Sequence, residues 1–271
     1  MIKRIIPSTN EELPVIGLGT WRVFDVTSTQ YDEKLRDVLR LLHEAGGSLI
    51  DSSPMYGHAE ETIGRLTKEL PFQKELFYAT KVWIDGKEQG IQQMDDSMSK
   101  MKRSQIDLMQ IHNLVDWKTH LKTLRGWKAK GKIRYIGITH YIDSMHEVLM
   151  QIVREEPLDF VQFNYSVTNR NAEKRLLPLC ADRGVAVLIN RPFGTGQLFA
   201  SVRNKPLPEF VKEVGIDSWS ELFLKYILAH PAVTCVIPAT GNSVHMADNL
   251  KAGTGEFPDE ALRAKIQKIF E

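Results

Sequence analysis

Four polar residues in the first half of the chain have the types needed for acid–base chemistry on an oxygen atom. Asp51 and Tyr56 lie five positions apart in IDSSPMYGHAEETIG, while Lys81 and His112 follow apolar residues in LFYATKVW and DLMQIHN. A lysine ammonium beside a tyrosine favours the phenolate and lowers its pKa from about 10, and an aspartate keeps that lysine charged. A histidine can hydrogen-bond a substrate oxygen or share the proton. This set predicts protonation of an oxygen that gains charge when a carbonyl is attacked.

Eight short apolar runs recur along the chain, each about as long as one β-strand. Several are almost continuously apolar, as strands buried on both faces must be. They are VIGLGTW (15–21), SLID (48–51), LFYATKVW (76–83), IDLMQIHN (106–113), IRYIGITH (133–140), LDFVQFNY (158–165), VAVLINR (185–191) and VTCVIPAT (233–240). The segments between them carry apolar residues at helical spacing. The first such stripe is Tyr31, Leu35, Val38, Leu39 and Leu42.

Eight strand–helix units over roughly 250 residues predict an α/β fold, a closed (β/α)8 TIM barrel. We expect one domain over residues 1–271. An open doubly wound sheet would carry a G-x-G-x-x-G turn after an early strand, and GLGT (17–20) does not extend into one. Outside the repeat, RIIPSTNEELPVIG predicts an N-terminal β-hairpin, and the segment from Phe257 predicts an extra C-terminal helix.

Polar side chains end most of the predicted strands. In a (β/α)8 barrel the carboxyl ends of the strands surround one mouth, where the chemistry lies. So many unpaired polar groups in one low-dielectric mouth would be costly for packing alone, so we expect the functional site there. These residues are Asp51, Lys81, His112, Asn113, Thr139, His140, Gln162, Asn164, Asn190, Arg191 and Thr240. No spacing of His, Cys and carboxylates matches a metal-ligand motif, so no metal is predicted.

The bulk composition narrows the class of protein. Thirty-five basic and 34 acidic residues give a formal charge of +1, which provides no basic surplus for a nucleic-acid partner. No apolar run is long enough to predict a membrane partner. Cys180 and Cys235 lie in apolar surroundings and are expected to be packed thiols. These features predict a cytoplasmic, monomeric enzyme, although a trimmed form of an exported protein would share them.

The opening stretch resembles the D-x4-Y-G-x2-E-x3-G pattern of the aldo-keto reductases, here Asp51, Tyr56, Gly57, Glu60 and Gly64. The similarity covers nearly the whole chain, through GLGTW (17–21), ATKVW, MQIHN, QFNYS (162–166) and IPAT…DNL (237–250). The resemblance implies that a nicotinamide dinucleotide binds in extended form across the barrel mouth and that carbonyls are reduced to alcohols. It places the catalytic tetrad on Asp51, Tyr56, Lys81 and His112.

The resemblance also implies the cofactor contacts. The residues expected to contact the nicotinamide carboxamide are Thr139, His140 and Gln162. The family usually has Ser-Asn at the first two of these positions. Asn190 stands where a tyrosine often stacks on the nicotinamide ring. The pyrophosphate is expected to bind the loop RPFGTGQL through Arg191, Pro192, Phe193, Gly194, Gly196, Gln197 and Leu198. The residues expected to contact the adenosine end are Thr240, Gly241, Asn242, His245, Asp248 and Asn249. The remaining cofactor contacts are expected from Gly19, Thr20, Trp21 and Asp51.

The choice of dinucleotide follows from two positions near the last strand. The family often has a lysine and an arginine there for the ribose 2′-phosphate, and this chain has Ala239 and His245. Losing two charge-assisted contacts to the 2′-phosphate weakens the preference for NADPH over NADH without reversing it. NADPH is therefore predicted as the cofactor, with NADH as the alternative.

The sequence therefore predicts an NAD(P)H-dependent oxidoreductase that reduces aldehydes or ketones, with Tyr56 as the proton donor. Two alternatives stay open: an aldolase or lyase in which Lys81 forms a Schiff base, and a nicotinamide-binding regulatory or redox-sensing subunit with weak turnover. A charged partner for Lys81 and the presence of all four tetrad residues argue against them. The short loops predict an open, shallow substrate pocket, lined by Trp21, Tyr56, Trp83 and His112, with Trp117 at the rim.

Overall fold

The computed structural model describes residues 1–271. The chain begins with an antiparallel hairpin of β1 (Lys3–Ile6) and β2 (Glu11–Pro14), as predicted. The next eight strands are parallel and neighbour one another in chain order. They are β3 (Leu18–Gly19), β4 (Leu49–Asp51), β5 (Phe77–Val82), β6 (Ile106–His112), β7 (Ile133–Thr139), β8 (Phe160–Asn164), β9 (Ala186–Asn190) and β10 (Cys235–Val236).

The barrel closes between its first and last strands. Parallel bridges join Ile16 to Val236 and Gly19 to Ala239. A Cβ on Gly19 would lie 2.9 Å from the carbonyl oxygen of Ile237, so this approach requires glycine. Only isolated bridges, and no continuous ladder, join these two ends of the sheet. The strands β3 and β10 are therefore only two residues long, much shorter than the apolar runs that predicted them. The predicted (β/α)8 barrel is confirmed, and the open doubly wound sheet is excluded.

Helices connect the strands and cover the outside of the barrel. Their bounds are α1 (Asp32–Glu44), α2 (Ala59–Thr67), α3 (Lys87–Lys100), α4 (Trp117–Ala129), α5 (His146–Glu155), α6 (Asn171–Lys174), α7 (Leu176–Asp182), α8 (Gln197–Val202), α9 (Glu209–Lys212), α10 (Trp219–Leu228), α11 (Ser243–Lys251) and α12 (Glu260–Gln267). The helix α12 is the predicted C-terminal helix, and Asp259 caps it by accepting a hydrogen bond from the Leu262 amide at 2.8 Å. None of these helices has the length and apolar character that crossing a membrane requires.

One expectation for α1 is wrong. Leu35, Val38, Leu39 and Leu42 are buried as the helical spacing predicted. Tyr31 lies before the first residue of the helix, in a short 3-10 turn, and is 46% exposed. Its ring therefore does not continue the buried stripe.

The inside of the barrel is filled at its amino-terminal end. A separate inner cluster of buried apolar side chains includes Leu49, Phe77, Leu108 and Phe160 from the strands, and Ile6 from the hairpin completes it. The hairpin thus closes this end of the barrel. Polar side chains inside the barrel can meet a ligand only at the other end, where the strands finish. The predicted packed thiols are confirmed, because Cys180 and Cys235 are both buried and free.

The second half of the D-x4-Y-G-x2-E-x3-G pattern joins elements rather than facing the mouth. Glu60 is buried in α2 and accepts hydrogen bonds from Thr80 Oγ1 at 2.5 Å and Ser97 Oγ at 3.1 Å. A Cβ on Gly64 would lie 1.9 Å from the carbonyl oxygen of Lys100. These two residues hold α2 against β5 and the end of α3, which fixes the segment that follows Tyr56.

Replacing Gly64 with alanine should therefore destabilise the fold. We expect Gly64→Ala to lower the free energy of unfolding by about 3 kcal/mol, the upper part of the usual range for overpacking, because the new methyl group meets backbone. Gly126→Ala in α4 is the control, since an added Cβ there has no atom within 4 Å. It should be neutral or stabilising by up to about 1 kcal/mol. Urea denaturation measures both; a wild-type midpoint for Gly64→Ala would contradict the close packing.

Candidate active site

A buried ion pair lies where β4 and β5 end side by side. Lys81 Nζ donates to Asp51 Oδ2 at 2.6 Å and to the carbonyl oxygen of Ser52 at 2.6 Å. The exposed fractions of the Lys81 and Asp51 side chains are only 0% and 3%. Burial alone lowers the pKa of Lys81, but the neighbouring Asp51 and Tyr56 outweigh this effect, and the pKa lies above its ordinary value. Lys81 is therefore a fixed positive charge.

Tyr56 lies in the turn after β4, with its ring beside this charge. Lys81 Nζ is 4.9 Å from the centroid of the ring. Burial raises the pKa of Tyr56, Lys81 lowers it and Asp51 raises it, and the resulting pKa is above its ordinary value. The expectation of a lowered pKa is wrong, because desolvation outweighs the lysine, although the contribution of Lys81 has the predicted sign. The phenol therefore keeps its proton at neutral pH.

His112, the last residue of β6, faces the same space. Its ring meets the ring of Tyr56 edge-on, with centroids 5.8 Å apart and an interplanar angle of 88°. Its Nδ1 lies 2.9 Å from Ser53 Oγ. Burial, the charge of Lys81 and, to a smaller extent, the neighbouring His140 lower the pKa of His112 to about 2. The ring is therefore neutral at pH 7, which leaves hydrogen bonding, rather than proton sharing, as the chemistry open to it.

Two carboxamides surround the other oxygen of Asp51. Asp51 Oδ1 accepts from Gln110 Nε2 at 2.9 Å and from Gln162 Nε2 at 3.0 Å. Gln162 Nε2 also donates to Gln110 Oε1 at 3.1 Å, and Gln162 Oε1 accepts from Thr139 Oγ1 at 3.1 Å and Asn190 Nδ2 at 3.3 Å. Both hydrogens and both lone pairs of Gln162 are thus engaged within the protein. The site also contains Gln110, which our sequence reasoning missed; a lone polar residue two positions before His112, on the same strand face, was the available signal.

A stack of three side chains lies beside this network. The His140 and Tyr141 rings are stacked with centroids 5.3 Å apart, and the guanidinium carbon of Arg191 lies 4.0 Å from the centroid of Tyr141. His140 Nδ1 accepts a hydrogen bond from the Tyr141 amide at 2.9 Å. Burial, His146 and Arg191 lower the pKa of His140, so its ring is neutral at pH 7. Next to it, Asn190 Oδ1 is buried without a hydrogen-bond partner.

The loop after β9 has an unusual run of left-handed residues. Arg191, Gly194, Thr195 and Gly196 have φ angles of 51°, 55°, 56° and 92°. An added Cβ on Gly196 would meet no atom within 4 Å, so the space beside it is open. Turns of this kind can point successive backbone N–H groups into one concavity that suits an anion. Within the same loop, Phe193 packs on Phe199, with ring centroids 4.8 Å apart, and Pro192, Gln197 and Leu198 complete the predicted segment.

The segment after β10 forms the amino-terminal end of α11. Asn242 caps this helix by accepting a hydrogen bond from the Val244 amide at 2.9 Å, and Thr240 Oγ1 accepts from the Asn242 amide at 3.1 Å. His245 is exposed in the first turn. Gly241 lies behind them, where an added Cβ would be 3.3 Å from Leu35. The structure therefore brings the predicted Thr240, Asn242 and His245 together at one helix end.

Further along α11, the two residues predicted at the adenine are separated. Asp248 forms an ion pair with Lys251 at 3.3 Å and is partly exposed. Asn249 is buried, and its Oδ1 accepts a hydrogen bond from Ser220 Oγ of α10 at 2.5 Å. The side-chain carbonyl oxygen of Asn249 thus points towards α10.

Of the tryptophans predicted at the substrate pocket, Trp83 lies beside His112. Trp83 is 41% exposed, and its ring centroid lies 6.3 Å from that of His112. Trp21 and Trp117 are partly buried, each with a cation over its ring. Thr20, between Gly19 and Trp21, donates to the backbone oxygen of Asp51 at 2.9 Å. Trp21 and Trp117 stay predictions as residues of the substrate pocket.

Comparison with known proteins agrees with this geometry. The model of the Aldo/keto reductase family matches residues 15–269. The chain belongs to the aldo/keto reductase family. The resemblance noted in the sequence is thereby confirmed.

Several relatives of this aldo/keto reductase carry names that describe an activity. The aldo-keto reductase YhdN of Bacillus subtilis is 27% identical over 200 residues, which cover 68% of this chain and 60% of that protein. An NADH-specific methylglyoxal reductase of Escherichia coli is 27% identical over 77% of this chain and 72% of its own length. The methylglyoxal reductase YeaE of the same organism is 25% identical over 91% and 88%.

Solved structures of aldo/keto reductases share the fold of this chain over almost its full length. An enzyme from Klebsiella pneumoniae in complex with NADP and acetate superposes with a TM-score of 0.84 at 21% identity, covering 100% of this chain and 96% of that chain. A thermostable aldo-keto reductase in complex with the inhibitor epalrestat gives a TM-score of 0.82 at 25% identity, over 99% and 100%.

The neutral state of His112 has a consequence for acid stability. Its folded pKa of about 2 lies below the ordinary value of 6.5, so between these values the unfolded chain binds a proton that the folded one does not. The contribution of His112 to stability is complete above about pH 6.5 and is lost as the pH falls. Between about pH 6 and 4, we expect the wild type to lose up to about 1.4 kcal/mol more per pH unit than His112→Gln. Urea unfolding at several pH values measures this difference; parallel pH dependences would contradict a buried neutral His112.

Proposed function

We propose that this aldo/keto reductase uses NADPH to reduce the carbonyl group of a small aldehyde or ketone to an alcohol. The observation that carries the proposal is the convergence of Tyr56, Lys81, Asp51 and His112 at the carboxyl end of the barrel. When bound, the nicotinamide supplies a hydride to the carbonyl carbon. The protein must then supply a proton to the carbonyl oxygen and stabilise the negative charge that develops there.

Tyr56 is the proposed proton donor, because its phenol is protonated at neutral pH and lies beside a fixed positive charge. As the phenol gives up its proton, Lys81 stabilises the phenolate that remains. Asp51 holds Lys81 in place and charged. The neutral ring of His112 positions the substrate oxygen by a hydrogen bond.

The residues around the mouth fit a nicotinamide dinucleotide. Asn190 Oδ1 is a buried acceptor without a donor, and a carboxamide N–H is a donor of the required kind. The loop that follows, with four left-handed residues and Arg191, suits a pyrophosphate. Thr139, His140 and Gln162 stay predictions as carboxamide contacts, and so do Asp248 and Asn249 at the adenine.

Two alternatives are less well supported. A Schiff base requires a neutral, accessible lysine, and Lys81 is 0% exposed and charged. A regulatory subunit with weak turnover is not favoured, because all four tetrad residues are present and lie together. Methylglyoxal is the first substrate to test, because two relatives carry the name methylglyoxal reductase. The single domain, the monomeric state and the cytoplasmic location also stay predictions.

Tyr56→Phe keeps the ring and removes the proposed proton. We expect carbonyl reduction to fall by at least about 100-fold, as is typical for the loss of a general acid, while the Kd for the cofactor is nearly unchanged. Steady-state rates with methylglyoxal and fluorescence titration with NADPH measure the two quantities. Tyr31→Phe is the control, because that tyrosine is exposed in the 3-10 turn before α1. If Tyr56→Phe keeps near wild-type turnover, another group donates the proton.

The dinucleotide preference depends on His245, which is exposed in the first turn of α11. Its ring can donate a hydrogen bond to the 2′-phosphate of NADPH, a group that NADH lacks. We expect a modest preference for NADPH over NADH. Kd values of both cofactors, for the wild type and His245→Ala, test both statements. A Kd for NADPH that is unchanged in the variant removes His245 from the phosphate site; tighter binding of NADH overturns the preference.

A further inference from the structure

Ser53 is a buried hydroxyl to which the tetrad assigns no function. It lies two residues after β4 and is 0% exposed. Its Oγ is 2.9 Å from Nδ1 of His112 and accepts a hydrogen bond from the amide of Met55 at 3.2 Å. Its side chain makes no other hydrogen bond. Ser53 is therefore the polar group that holds the inner nitrogen of the histidine.

These two contacts decide which nitrogen of the histidine carries the proton. The Met55 amide can only donate, so Ser53 Oγ accepts from it and keeps its own hydrogen for a second partner. If His112 Nδ1 were protonated, it would also donate to Ser53, and the hydroxyl hydrogen of Ser53, which is 0% exposed, would have no acceptor. If Nδ1 is unprotonated, it accepts that hydrogen and every group is paired. The neutral ring must then carry its proton on Nε2.

We propose that Ser53 is a positioning residue that fixes His112 in the tautomer with Nε2 protonated, so that Nε2–H donates a hydrogen bond to the substrate oxygen. The opposite tautomer would present a lone pair to that oxygen and repel it. The link to the substrate oxygen rests on the proposed function. The tautomer itself rests only on the contacts of Ser53.

The tautomer can be measured without turnover. In the wild type labelled with 15N-histidine, long-range proton–nitrogen spectra separate protonated from unprotonated ring nitrogens for the eight histidines. The signals absent from His112→Gln identify the ring in question. We expect an unprotonated Nδ1 and a protonated Nε2 at pH 7. A protonated Nδ1 overturns the proposal, and this result needs no Ser53 variant to fold.

Variants of Ser53 test its influence on the ring. Ser53→Ala should move both nitrogen signals towards the average of the two tautomers, and Ser53→Thr, which keeps the hydroxyl, should restore the wild-type pattern. Ser52→Ala is the matched control: its hydroxyl is equally buried on the adjacent residue, accepts from Thr20 Oγ1 at 3.1 Å and does not touch His112. The control should leave the His112 signals unchanged. A wild-type pattern in Ser53→Ala overturns the proposal.

Kinetics separate this proposal from the proposed function. Losing one hydrogen bond that orients the donor should lower kcat/KM of Ser53→Ala about tenfold, with an unchanged cofactor Kd. If the nitrogen signals respond as expected but the wild type reduces no carbonyl, the proposed function fails and the control of the tautomer by Ser53 stands. If the wild type reduces carbonyls with Nδ1 protonated, the proposal about Ser53 fails and the function stands.

Discussion

The buried pair of Asp51 and Lys81 is the interaction on which the site depends. Removing two charges from water costs several kcal/mol per ion, which close contact and further hydrogen bonds must offset. The barrel provides both: the carbonyl oxygen of Ser52 meets Lys81, and Gln110 and Gln162 meet Asp51. These partners come from strands that stand next to or across from one another, with Lys81 opposite Gln110 in the ladder between β5 and β6. A slip of one residue would turn Lys81 out of the barrel, so the pair and the strand register require each other.

The same burial sets the protonation of Tyr56 and His112, the two residues that we propose face the substrate. Burial makes both the phenolate of Tyr56 and the imidazolium of His112 unfavourable, and the charge of Lys81 further disfavours the imidazolium. At neutral pH the mouth therefore holds a protonated phenol and a neutral imidazole above a fixed cation. That combination suits the proposed mechanism, which needs one proton to transfer and one ring to hold an oxygen. It also supports the proposed role of Lys81 as a positive charge rather than as a nucleophile.

Much of this arrangement could be predicted from the sequence, because the period of apolar residues and the polar residues that end the strands are local properties. The barrel, the hairpin, the terminal helix and the meeting of Asp51, Lys81 and His112 follow from them. The bonds among side chains could not be predicted. Ser53 and Gln110 each bond a partner 59 residues away along the chain, and the net pKa of Tyr56 depends on desolvation, which a sequence does not reveal. Within the D-x4-Y-G-x2-E-x3-G pattern, the sequence does not reveal that Glu60 and Gly64 pack helix α2 against its neighbours.

The most direct test of the central claim is the pH dependence of the reverse reaction, alcohol oxidation with NADP, in the wild type and Lys81→Met. In that direction the proposed mechanism requires Tyr56 to accept a proton, so the single-turnover rate should rise with pH up to the apparent pKa of Tyr56. Removing the adjacent positive charge should move the rising limb to higher pH, because Lys81 lowers the pKa of Tyr56 while burial raises it. A rising limb at the same pH in both proteins would show that the buried pair does not control the proton of Tyr56, and would contradict this account.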